Sequence, residues 1–96
     1  MYAILFDLDT NCLNDDNYEG ATYHNSYKLI RTFMTANGFE WKQGSVYFGN
    51  DTIDAVTCVL TIQKLAKKYD WFANCVKDVR MLRIEENNDL LPAIQI

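Results

Sequence analysis

The sequence lacks a second histidine, a second proline and any cysteine pairing pattern. His24 is the sole histidine of 96 residues, so one chain cannot run a two-histidine acid–base mechanism. Its position near the start of an amphipathic stretch, off the apolar stripe, marks it as a surface residue. Cys12, Cys58 and Cys75 are odd in number and widely spaced, with no CxxC and no Cys/His cluster. Neither a disulfide framework nor a zinc site is expected from that pattern, and Cys58, inside an apolar stretch, reads as core filler. No apolar run approaches the roughly 20 residues of a membrane span. The opening MYAILFDLD has no basic region and reaches acid at Asp7, unlike a secretory signal. A cytoplasmic protein without membrane contact is expected. Net positive charge is also missing: nine Lys and Arg against thirteen Asp and Glu leave −4, which argues against holding nucleic acid through bulk charge. Local basic patches remain, because Lys64, Lys67 and Lys68 are bunched, as are Lys77, Arg80 and Arg83. The first group suits the dipole at a helix C-terminus.

What is present is an alternation of apolar patterns. Residues 2–9 alternate as a strand, with Ile4, Phe6 and Leu8 on one face and Ala3, Leu5 and Asp7 on the other. Residues 10–21 are turn-rich and acidic and read as a loop. From about residue 22 to 37, Tyr23, Tyr27, Ile30 and Met34 form one helical stripe, stopped by Gly38. Residues 39–41 and 46–48 read as a hairpin around Lys42-Gln43-Gly44-Ser45. Asp51 or Thr52 is placed to cap a second helix running to about residue 69, with Ala55, Val59, Ile62, Ala66 and Tyr69 as its buried stripe. Trp71, Phe72 and Val76 form an apolar connection, and residues 79–86 a last strand with Arg80, Leu82 and Ile84 on one face. The tail, residues 87–96, is apolar enough to need packing on its own domain or a partner. The order is βαββαβ plus a tail: an α+β, ferredoxin-like single domain spanning residues 1–96. Both helices cover one sheet face, and the economical cover for the other is a second copy in a two-fold homodimer.

Asp7 is the first chemical candidate, because a carboxylate on an otherwise apolar interface is costly without a partner or a task. It is a candidate general base or ligand for a divalent cation. The string Asp7-Leu8-Asp9-Thr10 also resembles the Asp-x-Asp opening of haloacid-dehalogenase-type phosphatases, but Asn11 departs from that pattern and the chain is too short for the parallel sheet. In the hairpin Gln43-Gly44-Ser45-Val46-Tyr47, Ser45 and Tyr47 share a strand face and offer two hydroxyls to a phosphate.

Taken in order, Met1-Tyr2-Ala3, Phe6-Asp7-Leu8, Gly38-Phe39, Gln43-Gly44-Ser45-Val46-Tyr47, Trp71-Phe72, Val76-Lys77-Asp78-Val79-Arg80 and Arg83-Ile84-Glu85 resemble the virulence-associated protein D (VapD) family across nearly the whole chain. The resemblance implies a ferredoxin-like homodimer, related to small CRISPR-associated endonucleases, that cleaves RNA and acts as a toxin beside a small antitoxin protein. It implies catalytic roles for Asp7, Ser45, Tyr47 and Arg80, with Gln43, Lys77 and Arg83 binding RNA. Lys77 stands where an arginine is usual in the family, which keeps charge but loses bidentate geometry. Mg2+ on Asp7 is the candidate cofactor, although nothing in the sequence requires one. The competing expectation is a dimeric module that binds RNA or protein without cleaving.

Overall fold

A computed structural model describes residues 1–14 and 23–95. Four strands, β1 (Tyr2–Leu8), β2 (Phe39–Gln43), β3 (Val46–Gly49) and β4 (Val76–Arg83), form one antiparallel sheet in the order β2-β3-β1-β4. The helices are α1 (Thr10–Asn14), α2 (Tyr23–Ala36), α3 (Ala55–Lys68) and α4 (Asp70–Cys75), followed by a short 3-10 helix over Leu91–Ile94. This α+β arrangement is compatible with a ferredoxin-like fold.

The strand pleat decides what the sheet does on each side. Tyr47 pairs with Ile4, and Ile4 with Met81, so these residues share the helix-covered face, where Ile4 and Tyr47 are buried. Phe6 is the hub of that core, its ring 6.1 Å from Tyr47, 5.8 Å from Phe72 and 6.4 Å from Tyr27. α2 contributes Ile30 and Met34 from the expected stripe. The opposite face is open. One row across it reads Glu40, Phe48, Ala3, Leu82; the next reads Gln43, Val46, Leu5, Arg80; and beyond them Asp7 faces Asp78. That face is therefore apolar in its middle and charged at one end.

Several local expectations change. Part of the expected acidic loop is α1, whose N-cap is Asp9: its Oδ1 accepts the amides of Asn11 and Cys12 at 3.0 and 3.3 Å. The rest of that loop, and the His24 side chain, lie outside what the structure describes. α3 is capped by Asp54, not Asp51 or Thr52; its Oδ1 accepts both the amide and the hydroxyl of Thr57 at 2.7 Å. The buried stripe is centred on Cys58, Thr61 and Leu65; of the expected stripe Ile62, Ala66 and Tyr69 pack against the core beside it, and Val59 is left in solvent. The apolar connection after α3 is helical, with Trp71, Phe72 and Cys75 inside. Among the described residues of the tail, Leu90, Leu91 and Ile94 are exposed and do not pack on the domain.

Gly49 illustrates how tightly the hairpin meets the next segment, since a Cβ there would stand 2.8 Å from the Ile53 Cβ. Gly38 ends α2 at φ +91°, and its carbonyl accepts the amide of Asn50 at 2.9 Å, tying the helix stop to the end of β3.

The absence of a disulfide expected from the cysteine spacing is overturned. Cys12 and Cys75 are bonded, their Cα atoms 5.6 Å apart and 63 positions apart in sequence. The cause is topological: Cys12 follows the end of β1 in α1, Cys75 immediately precedes β4, and antiparallel pairing of β1 with β4 brings those ends together. Cys58 alone is free and buried, as expected of core filler, and burial raises its thiol pKa.

Candidate active site

Asp7 is the last outward-facing residue of β1. Its direct neighbour on β4 is Asp78, and facing residues of an antiparallel pair hold their Cβ atoms about 5 Å apart on one face. Two carboxylates so placed repel unless a cation intervenes. Arg80 supplies one: it lies two residues along the same face, and its Nε donates to both oxygens of Asp78 at 3.1 and 3.0 Å. Among the described residues, neither Nη group of Arg80 makes a hydrogen bond, so four N–H donors remain for an incoming anion.

A β-bulge sits beside this pair. Asp7 opposes Asp78 while Leu8 opposes Val76, so Lys77 is the extra residue. Lys77 is exposed next to the carboxylates. Gln43 lies on the same face as Arg80 at the far side of the sheet, separated from it by Val46 and Leu5. Ser45 is at the hairpin turn; its carbonyl accepts the amide of Phe6 at 3.3 Å, which sets it beside the residue preceding Asp7.

Two sequence-derived candidates are not brought to this centre. Tyr47 belongs to the opposite face, is 1% exposed, and packs against Phe6. Burial raises its phenol pKa, opposed by a hydrogen bond from Arg31, whose guanidinium also stacks 3.8 Å from the Trp41 ring centre. The expectation of two adjacent hydroxyls on a phosphate is thus corrected: Tyr47 is a core residue with its polar end held by Arg31. Arg83 also faces the helix side, opposite Tyr2, and its Nη2 is 3.2 Å from Glu85. Tyr2 and Asp7 are five strand steps apart, about 17 Å. Of the lysines at the end of α3, Lys68 is likewise engaged elsewhere, lying over Phe33 and Tyr69.

Asp78 was missed by sequence reasoning, although its signal was present. It alternates with Arg80 and Leu82, so placing β4 antiparallel beside β1 puts an acid of each strand at the same end. Asp9, by contrast, is occupied as the cap of α1, which accounts for the Asp-x-Asp string without phosphatase chemistry. Asp7 and Asp78 are hard oxygen donors of the kind Mg2+ takes, two where an octahedral ion takes six ligands.

The fold and this centre define a class: a small α+β domain that presents an acid pair and an arginine on an open sheet face, suited to handling a phosphodiester. No family model matches the chain. Curated relatives do. The chain is 81% identical to Endoribonuclease VapD 2 of Riemerella anatipestifer over 98% of its own length and 99% of the relative's. It is 62% identical to the Endoribonuclease VapD homolog of Helicobacter pylori, over 100% of the chain and 98% of the relative. With Endoribonuclease VapD of Dichelobacter nodosus it shares 38% identity over 99% of the chain and 98% of the relative. The chain belongs to the VapD family.

Proposed function

We propose that the chain is an endoribonuclease that cleaves RNA phosphodiester bonds at the Asp7–Asp78–Arg80 centre, within a cleft completed by a second copy. The observation that carries this reading is the facing acid pair with an arginine already bridged to one member, on the side of the sheet that no helix covers. The names of the relatives supply the substrate class.

The chemistry follows from these groups. Asp7 takes the proton from the attacking oxygen, a ribose 2′-hydroxyl or a water. Arg80, fixed through Nε by Asp78, turns its free Nη donors to the phosphoryl oxygens as their charge grows. Lys77 and Gln43 hold the strand on either side, and Ser45 orients the phosphate. The apolar middle of the open face, Ala3, Leu5, Val46, Phe48 and Leu82, is the surface that two copies bury together, which desolvates the acids at its end. A toxin role with a small antitoxin protein as partner follows from the family resemblance. Among the described residues no helix is long and apolar enough to cross a membrane.

Labelled RNA incubated with purified protein tests the reading. Wild type yields fragments, and Asp7→Asn yields none while keeping its circular dichroism and its two-chain mass by light scattering. Full cleavage by a folded Asp7→Asn protein overturns it, and binding without fragments by wild type favours a non-catalytic module. Titration with EDTA decides whether Mg2+ takes part.

A further inference from the structure

We propose that the Cys12–Cys75 disulfide is a thiol-responsive control on the cleavage centre, an inference that rests on the ribonuclease reading above. The bond lies at the same end of the β1–β4 pair as the acids. Moving outward from the centre, the rungs are Asp7 with Asp78, then the Lys77 bulge, then Leu8 with Val76, and then the sulfur bridge between α1 and α4. Besides the Leu8–Val76 rung, the Asp9 amide donates to the Cys75 carbonyl at 2.7 Å, a further backbone link between these ends.

Helix α1 depends on such a tether. It has five residues, too few to persist alone in water. Its cap, Asp9, is two residues from Asp7, so any movement of α1 acts directly on the end of β1. Cys75 immediately precedes Val76, and Lys77 is already irregular, so the bridge ties α1 to the bulged start of β4. With the bridge closed, both acid-bearing strand ends are pinned covalently; with it open, the Leu8–Val76 rung, the Asp9–Cys75 hydrogen bond and the packing of Leu8 and Leu13 hold them.

The exchange balances with a dithiol reductant. One reductant thiolate attacks Sγ of Cys12, the less buried of the two residues, forming a mixed disulfide and releasing Cys75 as a thiolate that takes a proton. The second reductant thiol displaces Cys12 from the mixed disulfide. The protein gains two electrons and two protons, and the reductant leaves as its disulfide. The oxidised chain is the faster enzyme.

The test compares oxidised and dithiothreitol-reduced wild type, with free thiols counted after denaturation, RNA cleavage assayed, and amide exchange followed by mass spectrometry. The expected thiol count rises from one to three on reduction. Exchange at residues 6–9 and 76–78 quickens while β2 and β3 stay protected, and cleavage falls about tenfold, the scale of a small misplacement of catalytic groups. Diamide restores both, and Cys12→Ser/Cys75→Ser stays at the reduced level whatever the reagent. Three free thiols after diamide treatment, unchanged exchange at the strand ends, or equal cleavage by the two forms overturns the proposal. Absence of cleavage by both forms removes the ribonuclease reading, and the control with it. A dithiothreitol effect that persists in the double variant also overturns it.

Discussion

Replacing Asp78 by asparagine separates what this residue does for stability from what it does for chemistry. The ion pair with Arg80 is well formed, but the two side chains are 46% and 68% exposed. Exposed pairs contribute at most about 1 kcal/mol. Relief of the repulsion between Asp78 and Asp7 offsets part of that loss. The melting temperature should therefore move by no more than about 5 °C, following the scaling for a domain of this size. Cleavage should behave differently. Asparagine keeps the shape but loses the charge-assisted grip on Nε, and an arginine that is no longer aimed gives up transition-state stabilisation of about 3 kcal/mol, roughly a hundredfold in kcat. The assay is single-turnover cleavage of a labelled oligonucleotide beside a thermal melt on the same preparation. A folded Asp78→Asn protein cleaving within about threefold of wild type would refute the role given to the Asp78–Arg80 pair.

Three further outcomes test the placement of other residues. Tyr47→Phe should retain cleavage within about twofold while losing about 1 kcal/mol of stability, because it removes a buried hydroxyl held by Arg31 and nothing on the acidic face; a collapse of cleavage in a folded variant would return Tyr47 to the site. Cys12→Ser/Cys75→Ser opens a loop of 63 positions, worth about 4 kcal/mol by chain entropy, so oxidised wild type should melt more than about 15 °C above it in calorimetry. Asp54→Ala should lower the melting temperature by removing the cap of α3. The hydrogen bonds from Thr57 pull the Asp54 pKa below its ordinary 3.8, so its stabilisation is full above that value and disappears as pH falls through the lower folded value; the gap between wild type and variant should close in melts at such acidity.

Much of the architecture was legible because strand alternation and helical stripes reflect burial directly. Ile4, Phe6, Ile30 and Met34 are where their spacing puts them. The stripe of α3 was placed about one residue off its centre, because Cys58 and Thr61 are less apolar than Val59 and Ile62 yet lie deeper, and its cap was misassigned because Asp51, Thr52 and Asp54 are all competent. Asp7 stood out alone, since one strand shows its own faces but not its neighbours. Asp78 and the Cys12–Cys75 bond emerge only when β1 and β4 lie side by side. Tyr47 misled for a related reason: its place in β3, opposite Ile4, carries it through the sheet, away from Asp7.

β4 is the outermost strand on its side of the sheet and has one hydrogen-bonded neighbour. Along it Val79, Met81 and Leu82 are exposed, interleaved with Lys77, Arg80 and Arg83. Those cations keep one molecule's rim from zipping onto another's. A variant that neutralises Lys77 or Arg80 therefore disarms a guard against aggregation as well as the chemistry, and a loss of turnover in such a protein is informative only when the sample is shown to be monodisperse.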